Sequence, residues 1–282
     1  PDDFDGDWVT PLMYDPNNQM SIYTMTNILY RSDDFGSTWN TLGNSFFSGN
    51  IQNAAIAENN SSIIAISNYN RLKISSDGGL TFTEVSQSLP NQFITDIAFD
   101  PNDDDTIIVT YGTYGNNNQK VYLSNNQGNT WQNITHNLGN MPIRTVVIDH
   151  TDDSTIYLGA EIGVYKKTMS EDSWQLYNEN LPNTTVMELE VVYGSNTLRG
   201  TTWGRGVWEY SLAGEVYPLS IEGRPKISEI RGSNPASVAT AGRRGQGGRG
   251  QSGKEAGGGG GGGYFGGGGG GAGVDGSGGG GG

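Results

Sequence analysis

The sequence predicts an all-β protein built as a β-propeller, with a glycine-rich extension at its C-terminal end. One eight-residue pattern recurs with its aromatic residues 43, 49 and 43 positions apart, the period of a four-stranded propeller blade. Each copy is flanked by short runs in which apolar and polar residues alternate, the mark of half-buried strands. The glycine excess is confined to one end: 26 of the 45 glycines lie between Ala241 and Gly282, so the rest of the chain has an ordinary content.

The first copy of the pattern, S-x-D-x-G-x-T-W, is formed by Ser32, Asp34, Gly36, Thr38 and Trp39. The second has Ser75, Asp77, Gly79, Thr81 and Phe82, and the third has Ser124, Asn126, Gly128, Thr130 and Trp131. A fourth, Thr168 to Trp174, reads as eroded, one residue short and without the glycine. The chemistry expected of these residues is local. A short Asp or Asn side chain caps N–H groups of a turn, Gly takes the positive-φ position, and Ser and Thr satisfy the remaining polar groups. The aromatic ring is then free to bury its face between blades. The twelve-residue spacing and bidentate Glu of a calcium loop are absent, so the pattern is read as a fold-stabilising turn and not as a metal site.

Four strands are expected per unit. The first strands are WVTPLMYDPNN, ITDIAFDPNDD and RTVVIDHTDD, each ending in an acidic turn. Second strands follow in SIYTMT, SIIAIS, TIIVTYG, STIYLGA and TLRGTT, and third strands in ILYRS, RLKIS, KVYLS, GVYKK and GVWEY. The repeated turn and a short fourth strand complete the unit. A long loop, TYGTYGNNNQK, explains the wider middle spacing. About five units are visible, and the last, ending TTWGRGVWEYSLAG, lacks the repeated turn. The ring is therefore expected to be part of a larger one, and the chain, which begins with Pro, a piece of a processed or larger protein.

These residues resemble the Asp-box (BNR) repeats of sialidases, sortilin-type receptors, xyloglucan-cleaving hydrolases and secreted surface proteins of Bacteroidetes. The resemblance covers roughly residues 7 to 214 and speaks more strongly to fold than to function. It implies export and display at the cell surface, by type IX secretion if the Bacteroidetes likeness holds. It also places a ligand face opposite the repeated turns.

Charge and composition narrow the function. Residues 1–214 carry 9 Lys and Arg against 25 Asp and Glu, a poor surface for a phosphate backbone or an anionic membrane. No cysteine is present, which removes disulfides and thiolate metal sites. Two histidines, His136 and His150, stand in separate contexts, which argues against a zinc site or a Ser-His-Asp triad. No membrane-length apolar run occurs, and no cofactor is expected.

Because strands alternate in direction, turns after second strands share one face of a propeller. That face gathers Tyr69 and Arg71, the Tyr111 to Asn118 loop, Glu161, and Trp203 with Arg205. Exposed Tyr, Trp, Arg and Glu suit recognition of a glycan or a polar protein segment, by stacking and planar hydrogen bonding. A sialidase would need an arginine triad, and the nearest match to that family's Arg-Ile-Pro signature is the reversed MPIR ending at Arg144. A glycosidase needs two carboxylates at a defined separation, which sequence cannot supply, and the Asp103 to Asp105 cluster reads as turn caps. The expected function is a non-catalytic, exported recognition or adhesion module that binds glycan or a surface protein. A polysaccharide hydrolase of the xyloglucanase or sialidase kind, or a scaffold that presents the glycine-rich tail, are the alternatives.

Three segments are expected: the propeller at 1–214, a linker at 215–240 containing Pro218, Pro225 and Pro235, and the glycine-rich segment 241–282. Polyglycine can be ordered in a bundle of extended three-fold helices, since only Gly lets strands pack closely enough to pair their backbones. Tyr264 and Phe265 would then anchor it. The alternative is a secretion or surface-assembly partner that holds the segment extended.

Overall fold

The computed structural model describes residues 10–44, 46–115, 118–150 and 154–212. The chain divides into two units, Pro1–Val216 and Tyr217–Gly282, and all described residues lie in the first. The expectations for the linker and the glycine-rich segment lie outside the described residues.

The described residues form a five-bladed β-propeller with almost no helix. Blade 1 is β1 (Leu12–Asp15), β2 (Asn18–Met25), β3 (Leu29–Ser32) and β4 (Asn40–Leu42). Blade 2 is β5 (Asn53–Ile56), β6 (Ile64–Ser67), β7 (Leu72–Ser75) and β8 (Thr83–Glu84). Blade 3 is β9 (Ile94–Asp100), β10 (Asp103–Tyr111), β11 (Val121–Ser124) and β12 (Gln132–Asn133), with a short 3-10 turn at His136–Leu138. Blade 4 is β13 (Ile143–Ile148), β14 (Ile156–Ala160), β15 (Gly163–Lys167) and β16 (Gln175–Leu176). Blade 5 has three described strands, β17 (Val186–Val192), β18 (Thr197–Thr202) and β19 (Gly206–Ser211). Every sheet is an antiparallel meander in chain order.

Alternation along the strands gives blades 2 to 4 two apolar faces, and facing blades share a core. Ile107, Val109 and Tyr111 of β10 pack toward blade 2, against Ala65, Leu72 and Ile74. Their neighbour Ile108 points the other way, into the seam with Val146, Ile156 and Leu158 of blade 4. A one-residue slip would exchange the two faces.

The repeated turns close the third and fourth strands, and their bonds recur atom for atom. Ser32 Oγ accepts from the Gly36 N–H at 2.7 Å, and Asp34 accepts from the Thr38 N–H and hydroxyl, each at 2.7 Å. In blade 2, Ser75 accepts from the Gly79 N–H at 2.9 Å, and Asp77 from the Thr81 N–H at 2.9 Å and hydroxyl at 2.6 Å. Asn126 keeps the bond from the Thr130 N–H at 2.9 Å but reverses the second, donating its amide to the Thr130 hydroxyl at 2.9 Å. Gly36, Gly79 and Gly128 all lie at φ between 81° and 91°, which a side chain would resist.

The fourth turn needs a correction. Ile156 pairs with Lys167 as Ile22 pairs with Ser32 and Ile107 with Ser124. Lys167 therefore holds the serine position, and the turn, Lys167 to Trp174, is full length. Its buried ammonium replaces the hydroxyl, donating to the carbonyls of Thr168 at 3.0 Å and Glu171 at 2.8 Å.

Candidate functional site

The inner strands of blades 2 to 5, with Pro11 before β1, line a central channel of about 1190 Å³. Its wall carries Glu58, Asp96, Glu188 and Glu190 with Arg144, and Glu190 is also paired with Arg199 at 3.4 Å. Such a channel favours neutral or cationic ligands over anions.

Phe93 and Arg144 line the channel, and an arc of contacts links them to residues of the turns between second and third strands. Tyr69, 58% exposed, stacks at a tilt on Phe93 with ring centroids 5.2 Å apart. Phe93 borders Gly112, where an added Cβ would lie 3.4 Å from Phe93 and 3.6 Å from the Arg144 guanidinium. Arg144 donates to Glu161 at 2.5 Å. The Thr185 hydroxyl donates to the Glu161 backbone carbonyl at 3.4 Å, and the Thr185 carbonyl accepts the Trp203 N–H at 2.9 Å. Trp203 itself is 75% exposed.

The electrostatics follow from these partners. The hydrogen bond from Arg144 holds the Glu161 carboxyl below the usual range, with Tyr114 adding to the effect. The Tyr114 hydroxyl, which donates to Glu161, is pushed up by that bond. Arg144 keeps its Nε buried without a hydrogen-bond partner, as is Gln52 Oε1 in the channel wall. Buried polar atoms are ordinarily paired, so these two are exceptions to that rule. The loop that carries Tyr114 is held from below by Lys120, whose buried ammonium donates to the carbonyls of Thr113 and Gly115. Burial lowers the pKa of Lys120.

Three residues named from the sequence, Tyr69, Glu161 and Trp203, thus fall on one arc. The other two do not join it by contact. Arg71 pairs with Glu84 on its own blade at 3.3 Å, and Arg205 is exposed, its carbonyl accepting the Trp208 indole at 2.9 Å. Arg144, Phe93 and Thr185 complete the arc from positions at or beside the starts of inner strands. Only the MPIR segment drew attention to any of them.

Among the channel acids, Asp96 is pushed up to about 6, chiefly by burial, with the charge of Glu188 adding to it. Its oxygens accept from the backbone N–H groups of Ile97 at 2.8 Å and Val146 at 2.9 Å. It therefore ties the inner strand of blade 3 to that of blade 4. Asp103 caps the turn at the opposite mouth, accepting from the Asp105 N–H and the Thr106 hydroxyl. Among the described residues no cluster of three or more His, Cys, Asp or Glu side chains could hold a metal ion, and no helix is long and apolar enough to cross a membrane.

Comparison with known proteins adds the family. No curated protein matches. Among solved structures, the GH74 enzyme of Niastella koreensis is 20% identical with a TM-score of 0.55, over 70% of this chain and 37% of that one. The GH74 xyloglucanase from Xanthomonas campestris is 17% identical with a TM-score of 0.55, over 73% and 36%. YCF48 bound to D1 peptide is 12% identical with a TM-score of 0.50, over 71% and 63%. The chain spans little more than a third of the two GH74 enzymes, and at these identities the likeness is one of fold. A family model described as Sortilin-Vps10 (sortilin, neurotensin receptor 3) matches residues 27–168. That match spans half of the sequence and runs from the first blade through the fourth, and the chain belongs to the sortilin (Vps10) family.

Proposed function

We propose that this propeller is a non-catalytic, exported recognition module that binds a neutral glycan or a basic protein segment at the channel mouth. The observation that carries the reading is the arc itself. Exposed rings at both ends, Tyr69 and Trp203, flank a half-buried Arg144–Glu161 pair. Aromatic anchors around a fixed polar centre are the composition of binding hot spots. YCF48, a propeller of similar fold, is known bound to a peptide, which supports a protein ligand as readily as a glycan.

The hydrolase alternative has one specific observation behind it, the elevated Asp96. Both oxygens of Asp96 are engaged by the channel wall, and that favours a structural role. An array of glycans and basic peptides, scored for retention and for shortened products, tests the two together. Retention without cleavage, weakened by roughly 30-fold or more in Trp203→Ala as expected for a hot-spot aromatic, fits recognition. Cleavage that is lost in Asp96→Asn contradicts it.

A further inference from the structure

The channel has two ends, and the molecule finishes them differently. The inner strands of blades 2 to 5 run in one direction along it. Phe93 and Arg144, at strand starts, line one end, and Glu58, Pro101 and Tyr193, just past strand ends, line the other.

At this second end the turns that leave the four inner strands are tied into a closed circuit. Asn59 of blade 2 donates its amide to the Pro101 carbonyl of blade 3 at 2.8 Å, and Asn102, next to Pro101, donates to the His150 carbonyl of blade 4 at 3.0 Å. The His150 ring meets the Tyr193 ring of blade 5 edge to face, with centroids 4.1 Å apart. The Tyr193 hydroxyl then donates to Glu58 Oε1, back in blade 2 beside Asn59, at 3.3 Å. Blades 3 and 4 stand between blades 2 and 5, so this last contact spans the channel and not a seam. At the first end no such closure occurs among the described residues, and the arc stops at the exposed rings of Tyr69 and Trp203.

A channel barred at one end is a socket, and only the end of a ligand chain can run down it. Its volume of about 1190 Å³ exceeds the roughly 300–1,000 Å³ of pockets for single small ligands, which leaves room for more than one residue. Charge selects the kind of end. Asp96 already accepts from two backbone N–H groups and Glu190 pairs with Arg199, so Glu58 and Glu188 are the carboxylates that an entering group meets. Burial holds the Glu58 carboxyl above its usual range, against the Tyr193 bond and the charge of His150. A carboxylate so poorly hydrated gains from a cation placed beside it.

We propose that the channel is a blind socket for the free amino end of a basic peptide, with the Tyr193–Glu58 contact as its floor and Glu58 as the acceptor of the ammonium group. The proposal rests on binding at the aromatic end of the channel, and it names the part of the ligand that goes deepest.

The test is a library of hexapeptides that begin with Lys or Arg and are randomised after it, each made with a free amino end, with an acetylated one and as a head-to-tail cycle. Peptides retained by the original chain are identified by mass spectrometry and their affinities are measured by calorimetry. Free-end peptides should bind about tenfold or more tighter than their acetylated and cyclic forms, as on removing one partner of a charge pair. Amidation of the carboxyl end should change nothing. Glu58→Gln, which keeps an acceptor for Tyr193 and removes the charge, should erase the difference with the melting midpoint unchanged. Trp203→Ala should weaken all forms alike. Equal binding of free-end and cyclic forms overturns the proposal, as does a preference for the free end that survives in Glu58→Gln, or failure to retain any free-end peptide. Binding at the aromatic end stands in the first two cases if Trp203→Ala still weakens the peptides, and it fails separately if Trp203→Ala has no effect.

Discussion

Trp174 and Trp39 occupy the same place in the same turn, and the molecule treats them differently. Trp174 is 3% exposed in the seam between blades 3 and 4, and Trp39 stands 40% exposed on the outer face of blade 1. The turn that presents each ring is complete in both blades. The difference teaches that the turn is mainly a local device, held by bonds among its own eight residues. Single bonds reach outside them, from the Phe35 N–H to the Met20 carbonyl in blade 1 and from the Trp174 N–H to Asn137 in blade 4. The energy of the aromatic comes from whatever blade lies beside it.

That separation is open to attack by substitution. The largest effect is expected at the buried seam: Trp174→Ala should destabilise the fold by about 3–5 kcal/mol, the range for large aromatic truncations in cores. Chemical denaturation measures it. Trp39→Ala should cost about 1 kcal/mol or less, as for a residue outside a packed core. If the two costs are equal, the outer face of blade 1 is not open.

A second test compares the turns with one another. The hydrogen bonds from Thr38 and Thr81 lower Asp34 and Asp77 to about 2. A carboxyl depressed in the folded state contributes stability that is present above its unfolded pKa and is lost as pH falls through the folded value. The turns of blades 1 and 2 should therefore weaken between about pH 4 and pH 2, whereas the Asn126 turn of blade 3 should not. Asp34→Asn with Asp77→Asn should flatten the acid limb of the stability curve. A limb unchanged in that variant would remove the turns as its source.

Asp96 runs the other way. Its folded pKa of about 6 lies above the unfolded value, so the folded state holds the extra proton, and stability should fall as pH rises from about 4 through 6. Asp96→Asn should abolish that slope. The smallest effect belongs to the charged face of blade 5, where Arg199→Ala should change stability by about 0.2–1 kcal/mol, the range for exposed ion pairs. A larger loss would mean that this face is buried against something.

Much of the fold was legible because its chemistry is short-range. The turns repeat in sequence since Ser, Asp, Gly and Thr bond within eight residues, and their spacing gives the blade. The fourth turn was misread because Lys167 satisfies the same carbonyl-rich turn with a long ammonium side chain, a substitution no spacing pattern reveals. Tyr69, Glu161 and Trp203 could be assigned to one face by strand direction alone. Their connection through Phe93, Arg144 and Thr185 depends on which inner strands meet around the channel, and no residue in those strands advertises it.

Binding at the channel mouth is the claim on which the functional account rests. The most direct measurement is the array of glycans and basic peptides, run with the original chain, Trp203→Ala and Glu161→Gln. The account predicts retained ligand, no shortened products, and binding lost in Trp203→Ala and weakened in Glu161→Gln with the fold intact. Retention that is indifferent to both substitutions, or cleavage of the ligand, would contradict it.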